Sequence, residues 1–485
     1  MSQNYDLIVV GGGSAGLVAA GGAALLGAKV ALIEKNKLGG DCLYTGCVPS
    51  KTFIRSARFA AEIKRANGFG FEVSDFKFLN NDFASITKRV RRVIEIIEYH
   101  DSPEVFEKMG VEVIFGNAHF ISPKEMEIIL RNGEKKILRS KRFCLSTGSR
   151  PFIPPIEGLS ETGFITNEEV FQLQELPKNL VVLGAGAIGL ELGQSFARLG
   201  ANVTIIEMAD RVLSKEDEEV SALMEKILRD DGLDILTNTK AIKFSKDKAK
   251  KIVICENEGK TFEIETDEIL CAVGRQANTD NLGLEQAGVK FDKKQIFTDE
   301  YLRTSNKHIF AAGDATAHFQ FTHTADYEAQ HVIQNAFLFY PLMKKVDFSV
   351  IPWATFTEPE VARVGLTESE AKEKFGEKVK VFKTEFADND RAQAENETVG
   401  FAKIITLKGK KILGATIIGG HAGELIHEFV LAMRHGLTLS DLNKAIHVYP
   451  TFAKITQALA TEQTLETLKS PFVQKWFQRY LKIWR

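Results

Sequence analysis

One strand–turn–helix–strand pattern occurs twice in this chain, and the two copies superpose without a gap. The first reads LIVVGGGSAGLVAAGGAALLGAKVALIE and the second VVLGAGAIGLELGQSFARLGANVTIIE. Gly11, Gly13 and Gly16 match Gly184, Gly186 and Gly189, and Glu34 matches Glu207. The offsets 184 − 11 and 207 − 34 are both 173. The spacing has a physical reason. The first glycine makes the tight turn, the second lets a pyrophosphate approach the backbone, and the third lets the helix pack on the strand. The helix start offers unpaired N–H groups and the positive end of its dipole to phosphate. The acid closing the second strand binds ribose hydroxyls. Two copies, each in the right context, specify two dinucleotide sites and therefore an α/β chain with two nucleotide-binding domains.

Directly after the first copy comes GGDCLYTGCVPSK, with Cys42 and Cys47. This places a redox-capable cysteine pair beside one nucleotide, near the start of a predicted helix that favours the thiolate. A zinc site is not expected, because no second CxxC-type pair follows. Cys144, Cys255 and Cys271 sit singly in apolar runs and read as buried, inert thiols. So few cysteines exclude a secreted disulfide scaffold. The 485 residues exceed one ordinary domain, and three or four domain-sized pieces are expected. With 44% hydrophobic residues, 26% charged and a net charge of −2, the chain buries real cores and is not built for nucleic acid. Residues 7–33 are apolar, but the glycine cluster, Lys29 and Glu34 make them a buried strand–helix–strand rather than a signal peptide or membrane span. With no targeting segment, a cytoplasmic location is the default.

A flavin adenine dinucleotide on the first unit brings its ring near the cysteines, and the second unit then takes the nicotinamide. Glu207 favours NADH, because a carboxylate repels a 2′-phosphate; nearby Arg211 softens that preference and leaves NADPH open.

With GGGSAG, GGDCLYTGCVPSK, STGSRP at 146–151, GAGAIGLELG, AAGDAT at 311–316, PWATFTEPEVARVGLTE and IIGGHAGELI in this order, the chain resembles the pyridine nucleotide–disulfide oxidoreductases with a CxxxxC pair. That family includes dihydrolipoamide dehydrogenase, glutathione reductase and mercuric reductase. The match extends to about residue 465. It implies two Rossmann-like domains, for FAD and NAD(P), plus an α+β C-terminal dimerisation domain. The implied boundaries are 1–148 with 279–347 for FAD, 149–278 for NAD(P), 348–465 for the interface of a homodimer, and 466–485 as an amphipathic tail. Residues 52–66 and 82–109 read as long amphipathic helices, and the C-terminal part alternates short strands with helices.

The resemblance also implies roles. Cys42 is the interchange thiol that meets the acceptor, and Cys47 faces the flavin. Lys51 and Glu191 match the ion pair beside the reactive flavin nitrogen. Asp314 binds the ribityl chain, and Thr322-His323 opens a helix whose positive end faces the reduced flavin. Matching motif positions add Ser14, Ala15, Gly40, Asp41, Thr147, Gly148, Gly274, Arg275 and Gly313 to the cofactor-binding set. No metal ligand set is implied. The expected activity passes electrons from NADH through FAD to the Cys42–Cys47 disulfide and on to a disulfide or thiol-bound acceptor.

Three departures bear on the acceptor. In HVYPTFAKI, Tyr449 stands where disulfide-reducing members carry the acid–base histidine, and Lys454 stands at the glutamate that supports it. His447 is two residues early and does not inherit that role. Tyr449, from the partner subunit, is expected either as proton donor, with Lys454 lowering its pKa, or as a packed interface aromatic. Asp41 replaces the usual threonine and raises the Cys42 pKa unless it is bonded elsewhere. Ala187 replaces an aromatic gate over the nicotinamide site and opens that face to quinones or oxygen. Two alternatives follow: a mercuric reductase-like reductase of metal ions or small acceptors, or a non-catalytic flavin-binding redox sensor. Mercury reduction is disfavoured because the tail has no cysteine pair and no metal-binding module precedes Met1.

In the tail, PFVQKWFQRYLKIWR, aromatics recur at Phe472, Trp476, Tyr480 and Trp484 among Lys475, Arg479, Lys482 and Arg485. Helical spacing lines the aromatics along one stripe. The favoured expectation is a terminal helix packed on its own dimer; the alternative is peripheral contact with an anionic membrane or a membrane protein.

Overall fold

The computed structural model describes residues 3–73, 80–248 and 250–485; residues 1, 2, 74–79 and 249 of the expected domains lie outside it. The chain forms two compact units. One comprises Met1–Ala185, Ser195–Ile206 and Thr239–Asp347; the other comprises Gly186–Gln194, Glu207–Asn238 and Phe348–Arg485.

In the first unit, Leu7–Val10 and Val30–Glu34 are buried at every position and pair in parallel. Burial on both faces is why these strands read as continuous apolar runs. They lie within an eight-stranded sheet ordered Gln3–Tyr5, Lys135–Ser140, Glu125–Leu130, Val111–Ser122, Val30–Glu34, Leu7–Val10, Phe143–Leu145, Ile309–Ala311. The last strand comes from far along the chain and pairs in parallel with Phe143–Leu145. The helix Ser14–Leu25 covers the sheet with Ala19, Ala20 and Ala23, in one core with Ala325, Ala329 and Val332 of the helix Thr322–Phe337. Small side chains let these helices sit close.

Ser149–Pro151 and Arg275–Ala277 pair antiparallel where the chain leaves and rejoins this sheet. Between them, Asn179–Leu183 is flanked in parallel by Asn202–Ile206 and Glu268–Cys271, beside a three-stranded antiparallel sheet spanning Lys240–Thr266. Cys144, Cys255 and Cys271 are buried. Burial pushes the Cys144 thiol up to about 12 and the Cys255 thiol to about 11, as expected of inert thiols.

The second unit is built on a five-stranded antiparallel sheet, Pro352–Thr355, Glu360–Gly365, Lys411–Gly419, Phe401–Leu407, Val379–Glu385. The helices Ala422–Arg434 and Lys454–Lys469 bury Ile426, Phe429, Ile455 and Leu459 in its core.

Two helices differ from expectation. The one expected at 52–66 starts earlier, as Cys47–Lys64. The one expected over 82–109 is Asn80–Glu98, followed after a single 3-10 turn by a separate helix Pro103–Lys108. Pro103 forces Ser102 into extended backbone (φ −69°, ψ 150°), which no α-helix tolerates.

Candidate active site

The first glycine turn is fixed by sterics. A Cβ on Gly11 (φ +101°) would lie 2.2 Å from the Ser146 carbonyl oxygen, and one on Gly16 would lie 1.8 Å from that of Gly11. Gly13 is different: its nearest neighbour is the Gly40 Cα, 3.8 Å from where a Cβ would sit. No side chain caps the helix that begins at Ser14-Ala15, so its first-turn N–H groups face that clear space. This is a fitting cradle for a pyrophosphate. Glu34 is buried and accepts from Gly12 N and Asn36 N, both at 2.7 Å. It holds the turn rigid at the end of its strand.

In the second copy, Gly184 (φ +97°) approaches the Ala272 carbonyl, with a Cβ separation of 2.7 Å. A Cβ on Gly186 would meet nothing within 4 Å, so here too the middle glycine leaves room. Gly189 lies in the helix Ala187–Leu199. Glu207 accepts from Ala209 N at 2.8 Å. Arg211 is drawn to Asp210 at 3.4 Å and to the Ser214 carbonyl at 3.2 Å.

The cysteines fall on two consecutive helices, Gly40–Tyr44 and Cys47–Lys64, and both are free thiols. Cys47 is the first residue of its helix, where the dipole favours an anion. The Cys42 thiol donates to Cys47. That hydrogen bond is the main reason the Cys47 thiol falls to about 6, and Thr322 and the Lys51 charge add to it against burial. Cys42 moves the opposite way and is strongly raised, first by the same hydrogen bond and then by burial. The Thr322 hydroxyl lies 3.3 Å from Cys47 Sγ. Thr322 opens the helix to Phe337, and His323 stacks on Phe321 with ring centroids 5.3 Å apart. The start of that helix, expected to face a flavin, therefore also meets the thiolate.

Asp41 is tied down. Its carboxylate pairs with Arg275 at 3.0 Å, accepts from Asn167 Nδ2 at 3.3 Å and bonds the Thr45 hydroxyl. It still adds, as a lesser cause, to the raised Cys42 pKa. Arg275 reaches Ser149 Oγ at 2.7 Å and Asp314 at 3.6 Å. Ser149 donates to Asp314 at 2.6 Å, and burial raises the Asp314 carboxyl. Thr147 and Gly148 are held by Asn278: Thr147 Oγ1 donates to the Asn278 carbonyl at 2.8 Å, and Asn278 N to that of Gly148 at 3.0 Å. Gly274 and Gly313 take positive φ, +130° and +74°. Sequence reasoning missed Asn167, Ser149 and Asn278, whose partners are more than 120 residues away and leave no local pattern.

The other expected catalytic residues lie in the second unit. Glu191 is buried and accepts from Phe356 N at 2.9 Å. The Tyr449 hydroxyl donates to Asp390 Oδ2 at 3.0 Å. That carboxylate raises the phenol pKa, the reverse of the lowering expected from Lys454. Lys454 instead contacts Gln457. Tyr449, Asp390, Arg391 and Lys454 line a cavity of about 340 Å³. His447 pairs with Glu428 at 2.9 Å. Asp390 was not foreseen, and no motif marks it.

Residues 5–329 match the family model for pyridine nucleotide-disulphide oxidoreductases, and residues 351–460 match the dimerisation domain of that family. The chain is 36% identical over 453 residues to a mercuric reductase of Staphylococcus aureus, covering 93% of this chain and 81% of the relative. It is 36% identical over 462 residues to a dihydrolipoyl dehydrogenase of Geobacillus stearothermophilus, covering 94% and 95%. Among solved structures, the Cu(II) complex of the HOCl-induced flavoprotein disulfide reductase RclA from Escherichia coli superposes with a TM-score of 0.84 at 28% identity, covering 95% of this chain and 100% of that one.

Proposed function

The chain belongs to the pyridine nucleotide-disulphide oxidoreductases, and from that premise we propose that it moves electrons from NADH to the Cys42–Cys47 pair and on to an acceptor that engages Cys42. It is an enzyme of the FAD- and NAD(P)H-dependent disulfide oxidoreductase class, and a homodimer through its dimerisation domain. When bound, FAD accepts hydride from the nicotinamide and supplies two electrons to the disulfide. The FAD domain is 1–148 with 279–347, a partition supported by the return of Ile309–Ala311 to the first sheet. The nicotinamide domain is 149–278 and the interface domain 348–465.

The observation that carries this reading is the polarised thiol pair. Thr322 and Lys51 help to lower the Cys47 pKa, while that of Cys42 is raised, so Cys47 is the more readily ionised sulfur. The cysteine expected to face the flavin is thus the thiolate, and the one expected to meet the acceptor is the thiol. Cys42 becomes the attacking nucleophile as its proton passes to the neighbouring Cys47. Lys51 and Glu191 act beside the flavin, and Asp314 on its ribityl chain. Gly11, Gly13, Gly16 and Glu34 hold FAD; Gly184, Gly186, Gly189 and Glu207 hold the nicotinamide cofactor. NADH is preferred, because Glu207 closes the second strand and Arg211 is engaged by Asp210.

Anaerobic NADH titration of FAD-loaded, oxidised protein tests this. Two new alkylatable thiols, mapped to Cys42 and Cys47, are expected for each NADH consumed. Electrons taken up with no new thiol, or a protein that stays colourless after incubation with FAD, overturn it.

A second reading concerns the acceptor. The Asp390-bound phenol of Tyr449 holds its proton more tightly than a free phenol, so Tyr449 does not serve a departing thiol as an acid of histidine-like strength. An acceptor that leaves no thiol to protonate, such as a thiol-bound metal ion, fits that site better than a disulfide. It also fits the likeness to a mercuric reductase. Ala187 is exposed at the start of its helix and leaves a quinone as the remaining small acceptor. Rates with metal ions and quinones in Cys42→Ser separate these: quinone reduction survives the substitution and thiol-bound metal reduction does not.

A further inference from the structure

We propose that the terminal helix, Pro471–Trp484, is an interfacial anchor that lays its aromatic face into an anionic phospholipid surface. The proposal does not depend on the electron relay. Ser470 breaks the chain out of the preceding helix (φ −63°, ψ 138°), its hydroxyl accepts from Val473 N, and Pro471 starts a new helix. At 100° per residue, Phe472, Val473, Trp476, Phe477, Tyr480, Leu481, Ile483 and Trp484 fill one contiguous half of the cylinder. Gln474, Lys475, Gln478, Arg479, Lys482 and Arg485 fill the other.

No residue of this helix is buried: Phe472 is 81% exposed, Trp476 57%, Ile483 86% and Trp484 77%. Single exposed aromatics are ordinary, but a continuous face of them marks an interaction surface. Charge identifies the occupant. From Thr467 onward there are five cations, Lys469, Lys475, Arg479, Lys482 and Arg485, and no acid, in a chain of net charge −2. The remainder therefore carries −2 − 5 = −7, so this segment is net positive on a chain that is otherwise net negative. The dimerisation-domain match also ends at residue 460, before the helix begins. The proposal takes the alternative to a helix packed on its own dimer.

A bilayer surface meets all the requirements. Trp and Tyr settle at the level of the headgroups, and the cations extend from the helix flanks to lipid phosphate and carboxylate. The helix is only about 21 Å long, too short to span the hydrocarbon core. No described helix is long and apolar enough to cross a membrane. The anchor therefore lies in the plane of the surface.

Sedimentation of the FAD-loaded full chain with vesicles tests this, using phosphatidylcholine alone or mixed with phosphatidylserine. Binding is expected to the mixed vesicles only, and to weaken with added salt. Lys475→Glu with Arg479→Glu is expected to lower the bound-to-free ratio by at least about twentyfold, taking about fivefold for each cation. Trp476→Ala with Trp484→Ala is expected to release the protein as well, and a chain stopped before Pro471 to stay in the supernatant with NADH oxidation unchanged. Equal recovery of full-length and truncated protein in the supernatant overturns the proposal. So does a drop to monomer mass on truncation without vesicle binding, which assigns the helix to the partner subunit.

Discussion

The cysteine segment and the Tyr449 segment each present a group that exchanges protons, and they are built in opposite ways. At Cys42 and Cys47 two titratable groups share one hydrogen bond at the start of a helix, with a hydroxyl and a lysine charge on the anionic partner. The Cys42 interaction, the Thr322 hydroxyl and the Lys51 charge outweigh burial and the Asp41 charge at Cys47, so its pKa falls while that of Cys42 rises. Tyr449 is 66% exposed, and the Asp390 carboxylate strengthens its hold on the proton. The first segment is set for electron and proton exchange. The second holds the Tyr449 proton through the Asp390 hydrogen bond. This contrast supports the proposal that the acceptor chemistry is carried by the cysteines.

The largest effect expected is at the pair itself. Cys42→Ser or Cys47→Ser each lowers turnover of thiol-engaging acceptors by ~10³-fold or more, because members of one catalytic unit fail together. A comparable loss in Tyr449→Phe, measured by steady-state kinetics, breaks the comparison. Next is a gain: Tyr449→His with Lys454→Glu raises the rate with small disulfides by about 10²-fold, the usual contribution of a positioned acid. An unchanged rate means that the proton already arrives by another route.

The third is a pH profile. A depressed pKa means that the Cys47 thiolate is present above about pH 6 and lost by protonation below it. Alkylation mapped by mass spectrometry is expected to have its Cys47 midpoint there and its Cys42 midpoint at higher pH. Lys51→Met moves the Cys47 midpoint up by about one pH unit. Cys47→Ser moves that of Cys42 down, because the main cause of its elevation is gone. The smallest effect sharpens the contrast: Tyr449→Phe changes quinone reduction by less than about threefold, since no general acid is lost.

Much of this was legible in the residues. Gly16 is dictated by the Gly11 carbonyl five residues away, so its place in the motif survives in a linear reading, whereas Gly11 is pressed by the Ser146 carbonyl from far along the chain. The apolar runs at 7–10 and 30–34 announce buried parallel strands for the same local reason. The single helix expected over 82–109 failed at Pro103, a signal that was present but outweighed by the periodicity on either side. Asp41 illustrates the other limit. Its identity suggested a penalty on Cys42, but its capture by Arg275, 234 positions away, is invisible in one dimension. Asp390 beneath Tyr449 is a similar case, and there the direction of the pKa change came out reversed.

Taken alone, the order of residues determined that two nucleotide units exist, that a cysteine pair follows the first, and that an amphipathic basic helix ends the chain. These are properties of steric fit and periodicity within about thirty residues. Only the tertiary structure decided which sulfur carries the charge, what restrains Asp41, and that the aromatic face of the last helix stays exposed on its protomer. Those outcomes depend on electrostatics and packing between groups that the fold, and not the sequence order, makes neighbours.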